Sequence, residues 1–558
     1  MNVYILQLKP LESAQVYPLP SMELLFRHIK EVYPKDSSFY GLAYRNLYGQ
    51  PISVLYKNKL PQQNLEDWKV YFPELTASLN KFNQRKQQNA KFSLNTFSNS
   101  RVVIVNKKTE YKTGDVLKAR IDAYDWKENK ASFGGDWFVA RLVYGNVPAH
   151  PDGIAGVITD HQNGTYSIKV PLLIPGEARL EVKLMIPLEG IAEYVRCTSL
   201  RKYIGVQYIA VFETEERTEC NVDFSFSNFT DDQLCDYSNP RNQEPWFCIK
   251  PPSGKCSKIT NVFYRGGNSV LDFGKKSCDE QFINKLGCSN TIEGSGIHVT
   301  VKLSKQLPAL PACNTMSING MGLPKPNGYF LNGAWKSRFC DNNLKSIDRA
   351  RPCFENKDIY FLGDSTSRQY YYWLAARLHL KSYGKSNQHV WQEPQTFGTK
   401  TFRFYYRGHG PPLQNPGPQD TRPYVTDMLD EITPGSQEVV VILNIGMHIT
   451  YFEPSFFIHR MRGIKKAMLR LNQRRSNVRY IYRSHRVVDV DYGRNFGWLT
   501  YRYGVLTREI FKNVKNFFYF DVWDLSSVWP LNGIHPSGEY LNQEVTYLIN
   551  FICNGIKT

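Results

Sequence analysis

From Asp358 onward the chain alternates short apolar runs with helix-patterned stretches, and that alternation restricts its C-terminal part to an α/β architecture. DIYFL at 358–362 leads to a helical stretch from Ser367 to about His379, and VVVILNI at 439–445 leads to one over 456–471. VRYIYR at 478–483 precedes a helix near 501–511, and NFFYFDV at 516–522 precedes a last helix over 538–552. Continuous apolar runs are strands buried on both faces; joined through helices, they form a mostly parallel sheet covered on both sides.

Upstream the texture differs. RVVIV (101–105), VLKARIDAY (116–124), WFVARLVY (137–144), TYSIKV (165–170) and ARLEVKLMI (178–186) alternate apolar and polar residues between Gly, Pro and Asn-Gly turns. Short alternating strands at turn-separated spacing predict an antiparallel, immunoglobulin-like β-sandwich ending near Phe212. Between Cys220 and Cys353 no regular period is visible, which predicts a loop-rich, cysteine-dense connector. A chain of 558 residues exceeds one ordinary core. The expected division is an unassigned region at 1–95 with one helix near Met22–Val32, a sandwich at 96–215, the connector at 216–355 and the α/β domain at 356–558.

Ten of the eleven cysteines lie between Cys197 and Cys353, with Cys553 near the end, and none forms a CxxC pair. That spacing argues against zinc, so no metal is expected, and for disulfides made in an oxidising compartment. The odd count leaves one thiol over, and Cys197 is the candidate. Sequons at Asn163-Gly-Thr and Asn228-Phe-Thr point to the same compartment. The first residues lack a charged start and a long apolar run, so no signal peptide is visible, and no stretch is long enough for a transmembrane segment. A secreted protein or a resident of the Golgi lumen, read from downstream of a leader, is the expectation. The net charge of +18 suits acidic glycans; it is dispersed, and no nucleic-acid-binding motif accompanies it.

In an open α/β sheet, sites gather at the carboxyl ends of strands. The first strand delivers Gly363-Asp364-Ser365 into a helix, whose N-terminal N–H groups would face a developing oxyanion at Ser365. Asn532-Gly-Ile-His535 precedes the last helix, and His535 is the base a serine hydroxyl needs. Helix capping is the structural alternative for Asp364 and Ser365, and a loop histidine is the alternative for His535. Arg368, one turn beyond Ser365, is a candidate to orient substrate or pair with Asp364.

These residues belong to a wider set: Gly135-Gly-Asp-Trp-Phe-Val-Ala-Arg, Asn163-Gly-Thr-Tyr, Arg217-Thr-Glu-Cys220, Tyr360-Phe-Leu-Gly-Asp-Ser-Thr-Ser-Arg-Gln-Tyr, and His535-Pro through Asn550-Phe-Ile-Cys553. As an ensemble this resembles the NXPE family, which joins a neurexophilin-like domain to a PC-esterase domain of the SGNH hydrolase class. The resemblance implies an O-acetyltransferase or esterase acting on glycans, with sialic acid or mucin-type glycans among the substrates. It implies oxyanion donors at Gly446 and Asn444, with Gly408 in the Arg-Gly-His-Gly segment as a further one. No cofactor is expected to stay bound; acetyl-CoA is the acyl donor a transferase would use. SGNH proteins usually carry Asp three residues before the histidine, and this chain has Asn532. In the serine-protease triad the equivalent change lowers kcat by on the order of 10⁴. Asp524 or Asp521 would have to supply the carboxylate. The alternative is a catalytically silent secreted protein that engages a cell-surface receptor or glycan through its neurexophilin-like part.

Overall fold

The computed structural model describes residues 72–88, 99–124, 128–145, 151–199, 206–222, 224, 229–239, 244–266, 290–304, 309–313, 324–341, 344, 346–383, 396–413, 417–418, 423–452, 454–487, 497–529, 531, 533–536 and 538–553. The helix expected near Met22–Val32 lies outside them.

Seven strands form the C-terminal sheet, in the spatial order 381–383, 396–398, 403–408, 357–363, 438–444, 478–483 and 517–520. The last five pair in parallel, while the first two make an antiparallel edge. Along Glu438–Asn444 every residue after Glu438 is buried, because both faces are covered. Val439, Val441 and Leu443 face a core with the helices Val425–Glu431, Pro454–Arg474 and Gly497–Phe511. Val440 and Ile442 face the opposite core, with the helices Ser365–Arg377 and Gly538–Ile552. The two-residue repeat of a strand thus sorts one apolar run onto two sides of a sheet.

Upstream, a four-stranded antiparallel sheet runs in the order 101–104, 116–122, 165–171, 157–160. It shares a core of Leu117, Ile121, Leu142, Ile168, Val170, Leu180 and Val182 with a larger sheet. That sheet follows the path 334–337, 328–331, 152–155, 137–144, 176–186, 297–302, 111–112. Three of its strands, 297–302, 328–331 and 334–337, with 290–291 beside them, come from chain far beyond the other four in sequence.

The connector expected to be loop-rich, with no regular period visible in its sequence, in fact supplies strands to two sheets. Strands at 290–291, 297–302, 328–331 and 334–337 join the larger sheet. Others at 217–221, 234–236, 247–249 and 259–266 build a six-stranded sheet with 206–212 and 417–418. Apart from the eight-residue strand 259–266, these strands of two to six residues are too short to show a period, and disulfides help to fix them. Cys220–Cys248 and Cys235–Cys256 staple the six-stranded sheet; Cys313–Cys340 and Cys353–Cys553 lie farther on. Cys197 stands on the helix Leu188–Ser199, but its side chain lies outside what is described.

The two halves of the chain interlock. The helix Trp523–Val528 packs on the strands 137–144, 152–155 and 328–331. Arg141 Nη1 donates to Val528 O at 3.1 Å, and the rings of Trp137 and Trp523 lie 5.5 Å apart. Arg460 forms a buried fork with Glu244, at 2.9 and 3.0 Å.

Candidate active site

The strand Lys357–Gly363 ends at Gly363, where a Cβ would lie 2.2 Å from Asn444 O on the neighbouring strand. Only glycine allows that approach. Asp364 caps the following helix, accepting from Thr366 N at 2.8 Å, so the helix begins at Ser365, two residues earlier than its sequence pattern suggested. Ser365 is therefore the first helical residue, half-buried, and its N–H meets no acceptor among the described residues. Its Oγ lies 2.7 Å from His535 Nε2. Residues 170 positions apart thus meet at one edge of the sheet.

His535 is exposed on its loop, which is held on both sides. Arg486 Nη1 donates to Ile534 O at 3.0 Å, and Gln369 Nε2 donates to Pro536 O at 2.8 Å. Beneath lies a buried charge cluster that sequence reading missed. Glu544 accepts from Arg486 Nε at 2.7 Å and from the Tyr370 hydroxyl, and Arg483 Nη1 stands 3.6 Å from it. Arg483 Nη2 donates to Thr366 Oγ1, beside the nucleophile. A signal was present: Glu544 falls on the apolar stripe of its helix, with Tyr540, Leu541, Val545 and Leu548, where a charge needs partners.

The turn after Glu438–Asn444 forms the facing wall. Gly446 has φ +154°, and a Cβ there would lie 2.4 Å from His485 Nε2. Asn444 is buried: its Nδ2 donates to Arg483 O at 2.9 Å and its Oδ1 lies 2.7 Å from Thr366 Oγ1. It braces the strands, and its amide is already engaged behind Ser365. Gly408 ends the strand on the other flank, in register with Gly363. His409 Nε2 and His448 Nδ1 are 3.1 Å apart, and Arg460 Nη1 approaches His409 Nδ1 at 3.4 Å. Arginine can only donate, so His409 Nδ1 accepts.

Burial dominates the electrostatics. It lowers His448 and His485 to about 4 and pushes His409 well below its ordinary range. Burial alone would raise Asp364, yet His448, His485, Arg483 and the Thr366 hydrogen bond hold its carboxyl well below the usual range. Since both histidines are neutral above about pH 4, Arg483 and Arg368 are cations that persist near Asp364 at neutral pH. His535 is depressed by desolvation first, then by Arg486 and Arg368, against the opposing charge of Asp364. A neutral His535 at neutral pH is ready to accept a proton.

The remaining expected residues are placed as follows. Asp521 and Asp524 do not serve His535: Lys325 pairs with both, Asp521 also faces Arg508, and Asp524 accepts from Asn327 N at 2.7 Å. The strand 517–520 carries them toward the segment around Lys325 instead. Asn532 lies outside the described residues, as does Asn228. Asn163 is exposed in a turn, its Oδ1 accepting from Thr165. Arg368 is buried rather than solvated, with Asp364, Tyr406 and Tyr372 in its field. No group of three or more His, Cys, Asp and Glu among the described residues could hold a metal.

A family model described as NXPE family member 4-like, C-terminal domain, matches residues 335–553, and a Neurexophilin model matches residues 81–282. The chain belongs to the NXPE family. The NXPE match spans both Ser365 and His535. One solved structure, the bacterial integrin-binding protein invasin, is 11% identical, with a TM-score of 0.12 over 55% of this chain. The match covers 59% of the invasin chain, less than two thirds, and a likeness of that size carries no argument. No helix among the described residues of this NXPE-family protein is long and apolar enough to cross a membrane. The four disulfides accord with a secretory-pathway location.

Proposed function

We propose that this NXPE-family protein is a glycan O-acyltransferase or acetylesterase using an SGNH-like site in a C-terminal domain at 356–558. It follows a cysteine-rich region at 216–355 and a neurexophilin-like, immunoglobulin-like sandwich at 96–215. The 2.7 Å separation of Ser365 Oγ and His535 Nε2 carries the reading. Ser365 Oγ attacks the acyl carbonyl while His535 takes the hydroxyl proton, and the carbonyl π electrons move onto oxygen. The N–H groups of Ser365 and Gly446, which meet no acceptor among the described residues, stabilise that oxyanion. When the tetrahedral adduct collapses, the acyl C–O or C–S bond breaks and His535 returns its proton to the leaving group. A sugar hydroxyl or water, deprotonated by His535, then attacks the acyl-enzyme; the acyl C–Oγ bond breaks and His535 returns the proton to Ser365 Oγ. Water gives an esterase and a sugar hydroxyl a transferase, for which acetyl-CoA would be the donor. Arg368 and the protein's positive charge favour an acidic acceptor, such as a sialic acid or a mucin-type glycan.

One observation favours a second reading. His535 is exposed, and no carboxylate among the described residues bonds its Nδ1, as expected of a silent domain in a protein that binds a receptor or glycan. Labelling by a fluorophosphonate separates the two. Wild type should react at Ser365, and Ser365→Ala and His535→Ala should not. An unlabelled but folded wild type leaves the binding reading.

A further inference from the structure

We infer that Arg486, with Glu544 and Gln369, positions His535 against Ser365, taking the place of the carboxylate on which a serine–histidine pair usually leans. This rests on the acyl-transfer reading of Ser365 and His535. Among the described residues His535 makes a single side-chain hydrogen bond, the one to Ser365. An exposed imidazole held at one nitrogen can swing, and a displacement of about 1 Å at a reacting group costs on the order of 100-fold in rate. The main chain supplies the restraint. Ile534 O and Pro536 O, on either side of His535, accept from Arg486 Nη1 and Gln369 Nε2.

Both anchors refer back to the nucleophile. Gln369 lies one turn beyond Ser365 on the same helix, so it ties the base loop directly to it. Arg486 is held through Nε by Glu544 at 2.7 Å. Glu544 also receives Tyr370, from the nucleophile helix, and faces Arg483, which donates to Thr366. One buried carboxylate therefore sets the base loop and the start of the Ser365 helix in register. A buried cluster of this kind is weak evidence for stability, since apolar residues of similar volume often serve as well or better. Its contacts at Ile534, Tyr370 and Thr366 converge on the two reacting residues.

Arg486 also acts through charge. The groups bearing on His535 are Asp364, which favours the imidazolium, Arg486 and Arg368, which oppose it, and His448, neutral at neutral pH. Arg486→Met removes an anchor and a cation together. Arg486→Lys keeps the charge and loses the planar fork that serves Ile534 and Glu544 at once.

The test uses the full secreted chain and two readouts. Hydrogen–deuterium exchange at the imidazole C2, followed by mass spectrometry, gives the titration midpoint of His535 whether or not the serine reacts. Fluorophosphonate labelling gives the rate. The wild-type midpoint should fall below 6.5. Arg486→Met should raise the midpoint and slow labelling on the order of 100-fold. Arg486→Lys should slow labelling without moving the midpoint upward. Glu544→Gln, if folded, should slow it as well. Gln369→Ala, outside the charge cluster and expected to fold, should slow labelling about 10-fold with the midpoint unchanged. Folded Arg486→Met or Gln369→Ala reacting at the wild-type rate overturns the inference, as does an unmoved midpoint in Arg486→Met. A wild type that does not label, with a midpoint that still rises in Arg486→Met, removes the acyl-transfer reading and leaves the anchoring of His535 intact.

Discussion

Gly446 and its neighbour His485 show how little tolerance the site has at single residues. A Cβ at Gly446 would intrude to 2.4 Å of an imidazole that is buried and cannot swing into solvent, at a φ that L side chains rarely adopt. Gly446→Ala should destabilise the protein by about 1–3 kcal/mol through overpacking and strain. It should also slow phosphonate labelling of the folded fraction, since the N–H it displaces is the proposed oxyanion donor. Thermal melts and labelling rates measured on one preparation would check both; an unchanged rate would remove Gly446 from the oxyanion role. The buried histidines make a further prediction. His409, His448 and His485 are all depressed below their unfolded value of 6.5. The unfolded chain binds their protons first as pH falls, so their contribution is complete above about pH 6.5 and is lost on the way to pH 4. Asp136, which desolvation and Asp160 raise to about 6, works in the opposite sense over the same window, as do Asp160, Asp358 and Asp524, which burial raises. His535, also depressed, and the carboxyls of Asp364, Asp521 and Glu544, held below their usual range, act with the three rings. Denaturant midpoints should therefore fall between pH 7 and 4.5. A flat profile would show that these rings are not buried in neutral form.

At the scale of elements, the Cys353–Cys553 disulfide closes 200 residues of sequence and holds the end of the last helix, which carries Glu544, against the segment entering the parallel sheet. Replacing both cysteines by serine should cost about 2–5 kcal/mol. It should also slow labelling before global unfolding, because the helix it frees supports the His535 loop. Equal loss of helix signal and of labelling along a denaturant series would contradict that order. The parallel strands and their helices were legible because their apolar runs are long and uninterrupted: Glu438–Asn444 and Val478–Arg483 lie within a residue of where composition put them. Gly328–Leu331 and Ala334–Ser337 were not, because four residues show no period and their sheet partner, Asp152–Ala155, lies far back in the chain. The same distinction holds at the site. Ser365 and His535 could be singled out from their places at a strand end and before the last helix. Arg483, Arg486 and Glu544 were not singled out: the apolar stripe around Glu544 hinted at one buried charge, and only the fold shows all three buried together.

Long chains usually unfold in steps, domain by domain. Here one continuous core includes Phe72, Leu75 and Tyr194, then Tyr208, Trp246 and Ile259, and then Val441, Phe457, Tyr482 and Tyr503. The segments matched by the neurexophilin and NXPE models therefore share an interior instead of merely touching, and they should lose it together. The Glu244–Arg460 pair is the most exacting probe of that coupling. Both side chains are almost wholly buried, one from each half, and Arg460 also donates to Pro411 O and approaches His409 behind the site. Glu244→Ala would leave a guanidinium with no counter-charge in the core, a change that typically costs about 3–5 kcal/mol. If the halves are one cooperative unit, hydrogen exchange should quicken together in the strand Val206–Phe212 and the helix Pro454–Arg474, and melting should remain a single transition at a lower temperature. Exchange that quickened in the strand alone, with the helix protected as in wild type, would mean that the shared core does not bind the halves into one unit. The site would then depend on the C-terminal half by itself.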